Sequence, residues 1–178
     1  MRCLLSLLLV ALVCTPAHSL RGAQSDAAAD TGGGGGVNVT GSLAELKNRR
    51  RVLLLVRRSN VVDSRGGTDS LLKEAYAGES FRYPRIYNLL AHHLNRYMNK
   101  YHSITSVTSA RDAEFIVFFN LLEYRRLLGR AYAYGELFVI LNDSTQPRVV
   151  WKTRKSPLWA EDAVKDLIRD LKTVRGEG

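Results

Sequence analysis

The densest anion-binding chemistry in this chain surrounds a single connection. Arg57 and Arg58 close an apolar run, Arg65, Gly66 and Gly67 punctuate the polar stretch that follows, and Arg82 and Arg85 flank Pro84. Arginine presents a planar fork of N–H donors that matches phosphate or carboxylate, and a glycine pair lets backbone N–H groups approach a ligand. If residues 52–56 form a strand and a right-handed crossover leads to a helix at Pro84, the strand's carboxyl end and the helix's amino end meet at one sheet edge. A helix amino terminus adds free N–H groups and partial positive charge, so these seven residues form a candidate anion site.

The stretch AHHLNRYMNKYH, residues 91–102, holds three of the four histidines and raises the question of a metal. Adjacent helical residues project about 100° apart, and no metal-binding type stands four residues from either His92 or His93. The expectation is structural or solvated histidines and no metal site. No nucleophile elbow, P-loop, zinc helix or dinucleotide fingerprint occurs, and Asp63, Asp69, Glu74 and Glu79 are scattered along the connection. Catalytic residues and cofactors are therefore not expected, although a hydrolase built on an unlisted arrangement stays open.

The elements that would position these groups follow from periodicity. VLLLV at 52–56 suits a strand buried on both faces. The connection at 59–82 exceeds twenty residues, a length that is usually functional or mobile in a compact domain. From Pro84, Ile86, Leu89, Leu90, Leu94, Tyr97, Met98 and Tyr101 recur at helical spacing, with His93 inside the apolar stripe and His92 outside it. Residues 104–107 read as an edge strand and FIVFF at 115–119 as the central strand. YRRLLGR reads as a connection ending near Gly129, and residues 131–141 and 149–151 as a hairpin around the turn at 142–147. Tyr132, Tyr134, Glu136, Phe138 and Ile140 share one strand face if no bulge intervenes, and Phe138 and Ile140 suggest that this face covers the helices. Ser156-Pro157 suits a helix start. Val164, Leu167, Ile168, Leu171 and Val174 then mark a terminal helix that Gly176 stops, with Glu161, Lys165 and Arg169 on a face read as solvated. Ser42 and Glu45 fit a capping box before the first strand.

The expected fold class is α/β: a mixed sheet of about five strands with two long helices packed on one face, in the order β-α-β-β-β-β-α. Residues 1–19 read as a secretory signal peptide, with a positive start, an apolar run and small residues before a cleavage site after Ser19. Val13 stands where lipid processing at Cys14 wants a small residue, so cleavage is expected to remove both cysteines and leave no thiol for disulfides or metals. Residues 20–41 read as a flexible Gly/Ala-rich leader and residues 42–178 as a single domain. No later run approaches a membrane span, and the expected location is periplasmic or extracellular. The net charge is +9, and loss of Arg2 with the signal leaves +8, which favours anionic partners. The sequons Asn38-Val-Thr40 and Asn142-Asp-Ser144 matter only in a eukaryotic secretory pathway.

The element order, the Asp112-Ala113-Glu114 step into an apolar strand, and a hairpin ending in Arg148-Val-Val-Trp151 before a terminal helix resemble envelope α/β domains of bacteria. Those include the amino-terminal domain of the Tol-Pal translocation protein, the curli secretion channel family, and exported proteins of similar size. The resemblance covers about residues 49–175 and implies a non-catalytic cell-envelope interaction module that docks another envelope protein. The alternative is an anion-binding protein, for a phosphorylated glycolipid or acidic polymer, working through the basic crossover. The expected partner is thus an envelope protein or an anionic envelope polymer rather than nucleic acid.

Overall fold

The computed structural model describes residues 37–58, 73, 75–76, 83–127, 130–143 and 146–178. Within them the chain runs β1 (Arg51–Arg57), α1 (Pro84–Tyr101), β2 (Thr105–Ser106), β3 (Phe115–Leu127), β4 (Arg130–Leu141), β5 (Arg148–Lys152), β6 (Leu158–Trp159) and α2 (Ala160–Arg175). The sheet order is β2-β1-β3-β4-β5, with β6 also paired to β4. β1 is parallel to both β2 and β3, while β3 with β4, β4 with β5, and β4 with β6 are antiparallel. This is the expected mixed α/β sheet, with FIVFF at its centre.

Burial follows the period of each element. In α1, Ile86, Leu90, Leu94 and Tyr97 are buried, and in α2 Ala160, Ala163, Val164, Leu167 and Leu171. Both stripes join Val52, Leu54, Val56, Phe115, Val117, Phe119, Leu137, Val139 and Leu141 in one core, so both helices cover the same sheet face. The alternate residues Leu53, Leu55, Ile116, Phe118, Phe138 and Ile140 build a second cluster on the opposite face with Val37 and Ala75. FIVFF is buried throughout because both of its faces are covered.

Four readings of the sequence change. YRRLLGR is not a connection: β3 continues to Leu127, and its pairing with β4 extends to Leu127 opposite Arg130. Phe138 and Ile140 lie on the face away from the helices, because their odd-numbered neighbours Leu137, Val139 and Leu141 take the helix side. Strand parity cannot assign a face when both faces are apolar. The terminal helix starts at Ala160 rather than near Pro157, since Leu158 and Trp159 first pair with Gly135 and Tyr134 of β4. Finally, residues 37–41, leader-like in composition, pack on the fold: Val37 is buried, and the backbone N–H groups of Thr40 and Gly41 donate to Val149 O at 3.0 and 3.2 Å.

Local chemistry fixes the margins. The Ser42–Glu45 capping box forms, on a single 3-10 turn at Leu43–Leu46, and Glu45 also pairs with Arg148 of β5. Glu114 accepts from the backbone N–H groups of Arg50 and Arg51 at 2.7 and 2.9 Å, joining the starts of β1 and β3. Arg175 donates to Leu46 O at 2.7 Å and also to Arg49 O, which ties the end of α2 to the approach to β1. Gly176 closes α2 in the left-handed conformation at φ 69°, where a glycine meets no Cβ penalty. Among the described residues, no helix is long and apolar enough to cross a membrane.

Candidate anion-binding site

The carboxyl end of β1 and the amino end of α1 do meet. Arg58, Tyr83, Pro84, Arg85 and Ile86 line one cavity of about 370 Å³ together with Leu121, Tyr124 and Arg126 of β3. Of the seven residues expected at this site, Arg58 and Arg85 are placed in its wall. Arg57 is not: it ends β1 half-buried, in step with Leu53 and Leu55, which face away from the helices. Arg65, Gly66, Gly67 and Arg82 fall outside the described residues, as does most of the 59–82 connection.

The tertiary structure contributes Tyr83, Tyr124 and Arg126, which the sequence reading missed. The reason is a β-bulge. Leu121 pairs with Gly135 and Glu123 with Tyr134, so Leu122 is an extra residue on β3. Leu121 faces the helix-side core, and in an unbroken ladder Glu123 and Arg125 would share that face. The bulge resets the phase: Tyr124 instead pairs with Ala133, whose methyl lies in the helix-side core, and Arg126 follows two residues later on the same face. Arg125 consequently points to the other side, where it pairs with Glu123 and lies over the Tyr134 ring at 6.0 Å.

Gly135 permits this arrangement. A Cβ on it would meet Asn120 O at 2.0 Å, Phe119 Cζ at 2.9 Å and Asn120 C at 3.0 Å. Its backbone conformation is ordinary, so what the site requires is space beside the facing backbone. A lone glycine inside an otherwise well-patterned strand is the signal that could have marked this bulge from sequence.

The electrostatics of the cavity are one-sided. Its described lining contains three arginines and no acid, and none of Arg58, Arg85 and Arg126 meets a carboxylate among the described residues. Tyr83 caps α1 without a side-chain hydrogen bond and the first turn carries no acidic residue, so among the described residues no side chain caps or neutralises the helix's positive end. Tyr124 is 41% exposed beside these cations, and its hydroxyl and that of Tyr83 supply donors that need no charge. Among the described residues the lining holds no carboxylate, histidine or cysteine.

A larger cavity of about 790 Å³ lies on the opposite sheet face, and both acids of its described lining are engaged locally. Glu114 serves the backbone and lies 3.8 Å from Arg51. Asp143 pairs with Arg148 at 3.9 Å. Asn142 donates to Ala110 O and Ala113 O at 2.7 and 2.6 Å and accepts from the Tyr76 hydroxyl, so the amide of that sequon is engaged in holding the fold.

The helix histidines sit as the stripe dictates. His92 is exposed, and His93 is half-buried with Nε2 3.8 Å from Glu161. Their rings meet edge to face at 5.6 Å between centroids. Burial pulls the His93 pKa below its usual value, against the opposing field of Glu161. Among the described residues no three histidine, cysteine or acidic side chains converge in a way that could hold a metal.

No protein-family model matches the chain, and no curated protein does either. Among solved structures, the chain is similar to the PelC dodecamer from Paraburkholderia phytofirmans at 13% identity and a TM-score of 0.36, over 72% of this chain and 89% of that one. A point variant of the same dodecamer aligns at 11% identity and a TM-score of 0.34, over 79% and 92%. At those scores nothing of PelC's role transfers to this chain.

Proposed function

We propose that this chain is a non-catalytic, exported binding module of the cell envelope, and that it holds a multivalent anion at the mouth of its first crossover. The carrying observation is the convergence of Arg58, Arg85 and Arg126, with two tyrosines, at the uncapped amino end of α1. Phosphate and carboxylate groups fit that lining, and in an envelope they are borne by phosphorylated glycolipids and acidic polymers. The signal-peptide pattern read at residues 1–19, and the charge of +8 that its removal would leave, support the same setting. Docking of another envelope protein is less well matched, because arginines and tyrosines dominate the described lining, whose apolar residues are Pro84, Ile86 and Leu121.

The test is binding of tripolyphosphate to the mature chain by calorimetry over a salt series. Three arginine contacts imply that log K falls against log salt with a slope of about −2, taking roughly −0.7 per contact. Arg58→Ala with Arg126→Ala should weaken binding about tenfold, taking roughly 0.7 kcal/mol for each exposed charge contact. Arg154→Ala with Lys155→Ala removes the same formal charge from an exposed loop and should change affinity by less than about twofold. Equal losses in the two double variants would assign the attraction to net charge and end the proposal.

A further inference from the structure

The face of α2 that reads as solvated in sequence becomes half of a basic groove once α1 packs beside it. Arg96 and Lys100 on α1, and Lys165, Arg169 and Lys172 on α2, line a cavity of about 410 Å³ whose floor is Tyr97, Tyr101 and Ile168. The cations stand four residues apart on α1 and at steps of four and three on α2, hence about 6 and 4.5 Å apart along each axis. Two of them are held by acids of their own helix: Lys165 by Glu161 at 2.6 Å, and Arg169 by Asp166 at 2.8 Å and Asp170 at 3.3 Å. Arg96, Lys100 and Lys172 meet no carboxylate among the described residues.

Lys100 and Lys172 come from different helices and converge on one ring. Their ammonium groups lie 5.0 and 5.4 Å from the centroid of Tyr101. The Tyr101 pKa is lowered, chiefly by hydrogen bonding with Lys100 and further by Lys172, which shows how positive this part of the groove is. Two ammonium groups gathered at one tyrosine repel each other, and an anion between them relieves that repulsion.

We propose that the groove between α1 and α2 binds a linear, non-protein polyanion bearing a carboxylate or phosphate on each repeat unit. The cations repeat along two neighbouring helices, so successive charges on one extended chain find successive partners. A docked protein fits less well, since lysine is depleted at the cores of protein interfaces and Ile168 is the sole aliphatic residue in the described lining. The groove and the cavity at the start of α1 have no described lining residue in common, so this proposal does not rest on the first.

Binding of size-fractionated oligogalacturonate, long-chain polyphosphate and poly-L-glutamate to the mature chain tests it. Lys100→Ala with Lys172→Ala should lower affinity for the first two polymers about tenfold, while Arg154→Ala with Lys155→Ala changes either affinity less than about twofold. Lys100→Arg with Lys172→Arg should retain binding, and a thermal melt reports whether each variant is folded. The ratio of oligogalacturonate to polyphosphate affinity tells the carboxylate source from the phosphate source. Equal losses in the groove pair and the loop pair would overturn the groove in favour of net charge. Tighter binding of charge-matched poly-L-glutamate than of either other polymer would overturn it in favour of an acidic protein segment. The groove pair should lose less affinity for tripolyphosphate than for long-chain polyphosphate, because three phosphates reach fewer of the cations along the two helices, and Arg58→Ala with Arg126→Ala the reverse, so this proposal and the arginine cavity fail or stand separately.

Discussion

Replacing Gly135 by alanine probes the device that aims Tyr124 and Arg126. The new Cβ would sit 2.0 Å from Asn120 O and 3.0 Å from Asn120 C, both backbone atoms of a fully buried residue. Ordinary contact begins at 3.4 Å, about 1.4 Å farther, so β3 must move away from β4 beside the bulge. Overpacking of this kind costs about 1–3 kcal/mol, and loosening one or two ladder hydrogen bonds adds about 1 kcal/mol each. The expected loss is therefore about 3 kcal/mol, or roughly 10 °C in Tm for a chain of this size. Gly41→Ala is the matched control. Its Cβ also meets close neighbours, Glu45 Oε1 at 2.6 Å and Val150 Cγ1 at 2.8 Å, but these are side-chain atoms, and Glu45 can swing away at the cost of its cap, about 1 kcal/mol. Circular dichroism melts give both Tm values, and tripolyphosphate calorimetry reads the site. Gly135→Ala should weaken binding about threefold, the worth of one lost arginine contact at roughly 0.7 kcal/mol. A Gly135→Ala protein that melts with the wild type, or no lower than Gly41→Ala, would refute the close-approach reasoning.

Deleting Leu122 should preserve the site, because it removes only the extra residue and leaves Glu123 opposite Tyr134 and Tyr124 opposite Ala133. Tripolyphosphate affinity within about twofold of wild type is expected, and a loss as large as that of Arg58→Ala with Arg126→Ala would show that the bulge does more than set phase. Tyrosinate absorbance should separate Tyr101 from Tyr97: Tyr101→Phe removes an early component below the usual tyrosine range, and Tyr97→Phe the latest one, since burial and the Glu177 hydrogen bond push Tyr97 up to about 12. A raised pKa gives stability that is full below the unfolded value of 10 and is lost as pH climbs towards 12, so Tyr97→Phe should flatten the alkaline decline in Tm. His93 has the opposite sense. Its pKa is lowered chiefly by burial, so its contribution is full above the unfolded value of 6.5 and is lost as pH falls below it. His93→Ala should be more destabilising than His92→Ala at pH 8, because it removes buried volume, and its Tm should fall less steeply below pH 6.5 than that of the wild type.

Much of this protein is decided locally. The stripe from Ile86 to Tyr97 specifies α1, the stripe from Val164 to Leu171 specifies α2, and uninterrupted FIVFF implies a strand covered on both faces. The sequence alone also places Arg58 at a strand end and Arg85 in a helix's first turn, which suffices to bring both to one crossover mouth. Arg126 could not be assigned in this way. Its face depends on one unpaired residue at Leu122, and a period of two carries no record of where the phase is reset until the facing strand supplies Gly135. The groove cations were equally hidden, although their helices were legible. Lys100 and Lys172 lie 72 positions apart in sequence, and only packing of both helices on the same sheet face brings their charges to the ring of Tyr101. Intrinsic periodicity is a property of neighbouring residues, whereas strand phase and helix adjacency are properties of pairs of segments, and these belong to the tertiary structure.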